Sequence, residues 1–247
     1  MSSTIEIKGL NPVAGDDKTK IEQKINPVQY YVKFSFSITY IFLLTTATIT
    51  FIEAMRTNIP SVRHVLNIET AISLIAGYFY SVFLDKISIY EKEDRKIDWA
   101  DISSTRYIDW SMTTPLMLLA LSLVLSQNIG KSVRLHTILT IIALNYIMLY
   151  LGYLGESGSI DKLPAMILGF IALFGMFFVI FTEFVLPKYL FSNYVLFGVF
   201  LTIWIFYGIF YMMSETYKNI GMNVLDCLAK CCFGLGIWAY YSKIVVL

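Results

Sequence analysis

The chain has 247 residues, 57% hydrophobic and 15% charged, with a mean hydropathy of +0.64. A soluble domain carries roughly 25% charge, so a soluble enzyme with a polar shell is disfavoured. The apolar content likewise excludes a disordered chain. A formal net charge of +1 leaves no electrostatic footprint for nucleic acid. Aromatics, at 16% with 18 Phe and 17 Tyr, suit a membrane bundle with lipid-facing Phe and interfacial Tyr.

In chain order, residues 1–29 come first. They are polar and lack the apolar region of a cleavable signal. They read as an extramembrane segment, either a short helix or a disordered tail. Seven apolar runs follow, each near the about 20 residues that span a bilayer core. They are Tyr31–Met55, Val65–Leu84, Ser103–Ser126, Val133–Gly155, Leu163–Leu186, Tyr194–Met213 and Gly221–Val245. The expected fold is all-α, a seven-transmembrane-helix bundle over residues 30–247, integral to the membrane and multi-pass. No internal repeat is evident, which speaks against an inverted-repeat transporter.

Seven crossings put the chain ends on opposite sides. With the N-terminus outside, the inner side carries Arg56, Arg63, Lys131, Arg134, Lys188 and Lys243, almost without acids. The outer side holds more Lys and Arg in total, mixed with the acids of the 85–102 link. The positive-inside rule counts Lys and Arg rather than net charge and does not by itself choose. An extracellular N-terminus is the working expectation. The three cysteines, Cys227, Cys231 and Cys232, all fall in the last run. No disulfide framework or CxxC site is readable, and Cys227 and Cys231, which flank Lys230, read as small buried hydrophobes.

Charge at bilayer depth is costly and by default marks function. Arg106 and Asp109 are three apart in the third run, and Thr113 follows four later on the same face. Asp226 and Lys230 are four apart in the seventh. Two carboxylates, one guanidinium and one amine balance only if all four meet in one interior cluster. Such a cluster can be neutral glue between two helices. A buried amine is also a candidate for Schiff-base formation, which points to an aldehyde held covalently at Lys230.

The third-run RYIDWSMTTPL and the seventh-run LDCLAK carry a resemblance to the microbial rhodopsins, seven-helix retinal proteins of bacteriorhodopsin-like fold. The resemblance covers residues 30–245. It implies all-trans retinal joined to Lys230 as a protonated Schiff base, with Asp109 as proton acceptor and counterion and Asp226 as second counterion. It also implies Arg106 outward of the pair and Thr113 bonded to the acceptor. Trp110, Thr114 and Met117 fall where the family packs the polyene chain, and Met148 and Gly152 near the ionone ring. Trp204, Tyr207 and Tyr211 stand as the aromatic wall. Tyr211 occupies a position where many members have Trp, and Gly208 one where many have Pro. Tyr80 resembles the tyrosine beside Asp226. Each of these is also a residue type common in any apolar core. Met117 suits green rather than blue absorption.

The chain departs from the well-known outward pumps seven residues after the acceptor. Ala120 stands where they carry a proton-donating carboxylate. Glu69 is a candidate substitute. It lies eleven residues before Tyr80, ~16 Å towards the inner side. A carboxyl in apolar surroundings there would stay protonated at rest; alternatively Glu69 is a first-turn acid at the helix dipole. Glu53 and Arg63 could form a polar mouth with it, a combination resembling the rhodopsins of large algal viruses, which would place the protein in a host-cell membrane. On the outer side the 6–7 link SETYKN reads as a tight turn with Glu215 as its only carboxyl, so release is expected late or through Arg106 and water.

The expected function is a photoactive ion transporter rather than an enzyme: a light-driven outward proton pump. The alternative is a light-gated cation channel lined by Asn145, Glu53 and Glu69. A sensory photoreceptor ranks below both, and a non-photoactive transporter remains. The family implies a homo-oligomer, trimer or pentamer, in membrane lipid.

Overall fold

The computed structural model describes residues 27–242. The polar head up to residue 26, Lys243 and the end of the seventh run fall outside the described residues. Pro27–Gln29, expected in the head, already belong to the first helix.

Seven helices long and apolar enough to cross a membrane make up the described residues. They are α1 (Pro27–Arg56), α2 (Pro60–Lys92), α3 (Trp99–Asn128), α4 (Leu135–Glu156), α5 (Lys162–Val185), α6 (Phe191–Tyr211) and α7 (Glu215–Tyr241). Each packs on the next, and α1 closes the ring against α7. Burial shows which helices lie inside. In the most apolar window, 61% of the residues are buried in α3 and in α7, against 17% in α6. The two central helices are those that carry the intramembrane charges.

Local chemistry sets the ends. Pro60 opens α2, where a missing N–H costs nothing. Asp98 caps α3 by accepting from the amides of Ala100 and Asp101 at 3.0 and 3.1 Å. Gly130 and Gly158 turn the chain after α3 and α4 at φ of 69° and 75°, which L side chains avoid. The helices overrun the apolar runs. The expected 85–102 link shrinks to residues 93–98, because α2 continues to Lys92 and α3 starts at Trp99. The expected 6–7 turn SETYKN is mostly helix, since α7 begins at Glu215.

Three departures from regular helix occur in the bundle. Pro115 lies inside α3 and has no N–H for the carbonyl of Ser111. The Tyr146 hydroxyl of α4 donates to that carbonyl at 3.1 Å instead. In α7 the helix widens to a π turn over Cys227–Cys232, around Lys230. Such turns occur often at functional sites. A second π turn, Phe181–Val185, ends α5. Buried Asn193 of α6 ties this end of the bundle together. Its amide donates to the carbonyls of Leu125 and Phe184 at 3.0 and 3.1 Å, and its oxygen accepts from Asn128 at 2.8 Å.

Candidate functional site

The four intramembrane charges meet in the middle of the bundle. Lys230 Nζ donates to Asp109 Oδ2 at 2.8 Å and lies 3.4 Å from Asp226 Oδ2. Arg106 Nη1 lies 3.7 Å from Asp226 Oδ2, and all four side chains are buried. The set is formally neutral, as burial requires; an unmatched charge there would cost several kcal/mol, about 3–5 for a broken buried pair.

The two carboxylates differ in their donors. Asp109 receives Lys230 and, at 3.3 Å, the Thr113 hydroxyl, which is shared with the Asp109 carbonyl at 2.9 Å. Asp226 receives three neutral donors: Tyr80 at 2.8 Å on Oδ2, and Tyr207 at 2.6 Å and Trp110 Nε1 at 3.2 Å on Oδ1. Arg106 is turned towards the end of the bundle where α1 and α7 begin. Its Nη2 donates to Asn219 and Asn223 at 3.2 and 3.0 Å. The rings of Phe36, Phe83 and Trp110 surround its guanidinium at 5.2–5.9 Å. Asn223 is itself held by Tyr80 and Ser35.

Lys230 and Asp226 also form one end of a cavity with about 780 Å³ of space free of protein atoms, counted to its open mouth. Trp110, Thr114, Met117, Met148, Gly152, Trp204, Tyr207 and Tyr211 all line it. Tyr80 does not; it stands beyond Asp226. Several wall hydroxyls are turned to protein acceptors: Thr114 to the Trp110 carbonyl, Tyr207 to Asp226 and Tyr211 to the Gly152 carbonyl. Asn145 donates to Thr114 and so is tied to the wall rather than to a pore. The cavity therefore offers an apolar sleeve with one reactive amine at its end. Gly152 makes room for Tyr107, whose hydroxyl would lie 2.6 Å from a Cβ there. Gly208 makes room in the same way for the Phe170 ring.

Glu69 lies on the opposite side of the lysine. It is 1% exposed, and neither carboxyl oxygen has a hydrogen-bond partner among the described residues. Gly234 packs beside it; a Cβ there would lie 3.0 Å from Glu69 Oε2. Gly234 is four residues past Lys230, so Glu69 sits about 6 Å beyond the lysine along α7. The expected mouth of Glu53, Arg63 and Glu69 does not assemble. Glu53 pairs with Arg56 at 3.1 Å, and Arg63 donates to the Thr57 carbonyl at 2.7 Å.

Asn219, Met222, Asn223, Tyr107, Met166 and Phe170 went unread in the sequence. The three on α7 precede Asp226 by seven, four and three residues, the stripe that faces Arg106 and the cavity. Spacing from Asp226 alone could have found them.

A ring of seven membrane helices around a buried, doubly countered lysine, open to an apolar sleeve, defines an integral membrane protein built to hold a small apolar molecule at an amine. The family described as bacteriorhodopsin-like protein matches residues 31–244, and the chain belongs to it. Among solved structures it is similar to the viral rhodopsin OLPVRII, with 42% identity and a TM-score of 0.79 over 87% of this chain and 99% of that one. It also shares its fold with a blue light-absorbing proteorhodopsin from Med12, at 23% identity and TM-score 0.68 over 87% and 98% of the two chains. The proton pumping rhodopsin AR2 from the marine alga Acetabularia acetabulum follows at 21% and 0.69, over 87% and 96%. No curated protein matches the chain. The family's general chromophore is retinal, and its members are typically ion transporters or sensors. The sleeve and the terminal amine fit that group.

Proposed function

We propose that this protein is a light-driven outward proton pump, with all-trans retinal held at Lys230 and the N-terminus outside the cell. The observation that carries the reading is the asymmetry around one amine. A paired carboxylate, Asp109, stands on one side, and a buried carboxyl without a partner, Glu69, on the other. When bound, retinal supplies the absorption of visible light and a change of shape at the lysine nitrogen.

The chain's own residues handle the proton. Lys230 Nζ carries it, and Asp109 Oδ2 at 2.8 Å is within direct transfer reach. Asp226 is the less ready acceptor, because Tyr80, Tyr207 and Trp110 already stabilise its charge. Loss of the positive charge at Nζ removes what kept Asp109 ionised. Arg106, bonded to Asn219 and Asn223, bars the way back and leads outward. Glu69 then returns a proton to Nζ from the inner side, with Ser73 one turn along α2 and Thr46 as hydroxyl neighbours; both lack a partner among the described residues. The polar head ahead of α1 is the outer extramembrane segment, and family membership favours a trimer or pentamer, in a host-cell membrane.

A light-gated cation channel would need a continuous polar path. On the Glu69 side, Ile72, Leu118, Leu121, Phe200 and Phe233 instead pack into one buried apolar cluster. The test is photocurrent under voltage clamp, together with medium pH in retinal-supplied cells. Expected are acidification abolished by uncoupler and a current that keeps its sign as the proton gradient is reversed. Alkalinisation, no pH change, or a current that reverses with the gradient would refute the pump. Glu69→Gln should slow proton return by about 100-fold, the lower end of what a positioned acid contributes. An unchanged photocycle removes Glu69 from the mechanism.

A further inference from the structure

Outward of Arg106, where α4 ends and α5 and α7 begin, four more charges meet. Lys218 is 1% exposed, and its Nζ bonds Glu156 Oε1 and, at 2.8 Å, Glu215 Oε1. Lys162 Nζ lies 3.5 Å from Glu156 Oε2 and 3.9 Å from Glu215 Oε1. Ser103 of α3 donates to Glu156 at 3.2 Å. The group adjoins the proton path. Asn219, next to Lys218 in the chain, accepts from Arg106 and donates to the Glu215 carbonyl at 2.8 Å. It also adjoins the cavity, since Lys162 Nζ stands 5.7 Å from the centre of the Tyr211 ring.

We propose that Lys218, together with Lys162, locks Glu156 and Glu215 into a charge-neutral cluster, so that the exit stores no proton and the protein takes one up from inside before it releases one outside. Two carboxylates forced together without cations share a proton, because both cannot ionise at short range. Such a pair can discharge as soon as charge shifts at Arg106. Here two ammonium groups balance two carboxylates, and the buried one bonds both acids. No proton is held in reserve. Release must wait until Asp109 gives up the proton it received. Lys218 is thus a positioning residue that sets the order of events and touches neither chromophore nor transferred proton.

The inference rests on the pump reading, and one experiment separates them. Purified pigment is flashed once in the presence of a pH-indicating dye, and the sign of the first dye phase is read against the absorbance change that marks loss of the Lys230 proton. Wild type should show uptake first and release second. Lys218→Gln leaves two acids with the partly exposed Lys162, and should invert the first phase to prompt release. Lys218→Gln combined with Glu215→Gln should restore uptake first, and Lys218→Arg should keep it throughout. A merely structural role would alter stability and leave the order alone. Release first in wild type, or uptake first in Lys218→Gln, overturns the proposal while the pump stands. If Lys218→Gln yields no pigment, the wild-type order and Lys218→Arg still decide. A photocycle without any dye signal overturns the pump reading and this one with it.

Discussion

The three-donor cage around Asp226 can be taken apart one hydroxyl at a time. Tyr207→Phe removes the 2.6 Å bond to Oδ1 and leaves Trp110 as its sole donor there; Tyr80→Phe removes the 2.8 Å bond to Oδ2. A hydrogen bond to a charged group contributes about 1.5–3 kcal/mol. For a chain of this size each kcal/mol moves the melting point by about 2–4 °C, so each single variant should melt about 3–12 °C lower. The two effects will not add, because both hydroxyls serve one carboxylate. Thermal loss of the visible band reads the first consequence. The second is chemical: with the cage gone, Asp226 competes with Asp109 for the proton. Light-minus-dark infrared spectra should show one carboxyl that gains a proton in wild type, a band lost in Asp109→Asn. In the Tyr80→Phe/Tyr207→Phe background part of that signal should survive Asp109→Asn. Unchanged melting in both single variants, or complete loss of the signal in that background, would refute the argument that the cage chooses the acceptor.

Two further outcomes follow from the geometry. Lys230→Ala should give a folded protein that stays colourless with all-trans retinal, since the sleeve then ends in a methyl group; a visible band in that variant would move the attachment elsewhere. Asn193→Ala orphans the carbonyls of Leu125 and Phe184, at about 1–3 kcal/mol each, so melting should fall by at least about 4 °C; a smaller drop would show that the junction of α3, α5 and α6 has other support.

The legible part of the molecule was what violates its surroundings. A lysine or aspartate in an apolar run is conspicuous, so Lys230, Asp226, Asp109 and Arg106 could be picked out and their meeting expected from charge balance alone. Helix ends were less legible. DKISIYEKEDRK after Leu84 is polar but compatible with helix, and α2 runs on through most of it beyond the apolar stretch. The pairing of Glu156 with Lys218 was invisible, because 62 residues separate them and each looks like an ordinary link residue. The expected mouth of Glu53 and Arg63 failed for the opposite reason. Local partners, Arg56 and the Thr57 carbonyl, were nearer than Glu69. The π turn around Lys230 has no signature in composition at all.

That widened turn makes the last helix two rods joined at a looser seat. The front rod presents Asn219, Asn223 and Asp226 to the guanidinium; the rear rod presents Gly234 to Glu69. In a regular helix one residue more or less would rotate everything behind it by about 100°. A wide turn can absorb such a slip, so the two faces can be re-phased independently without unseating the lysine between them.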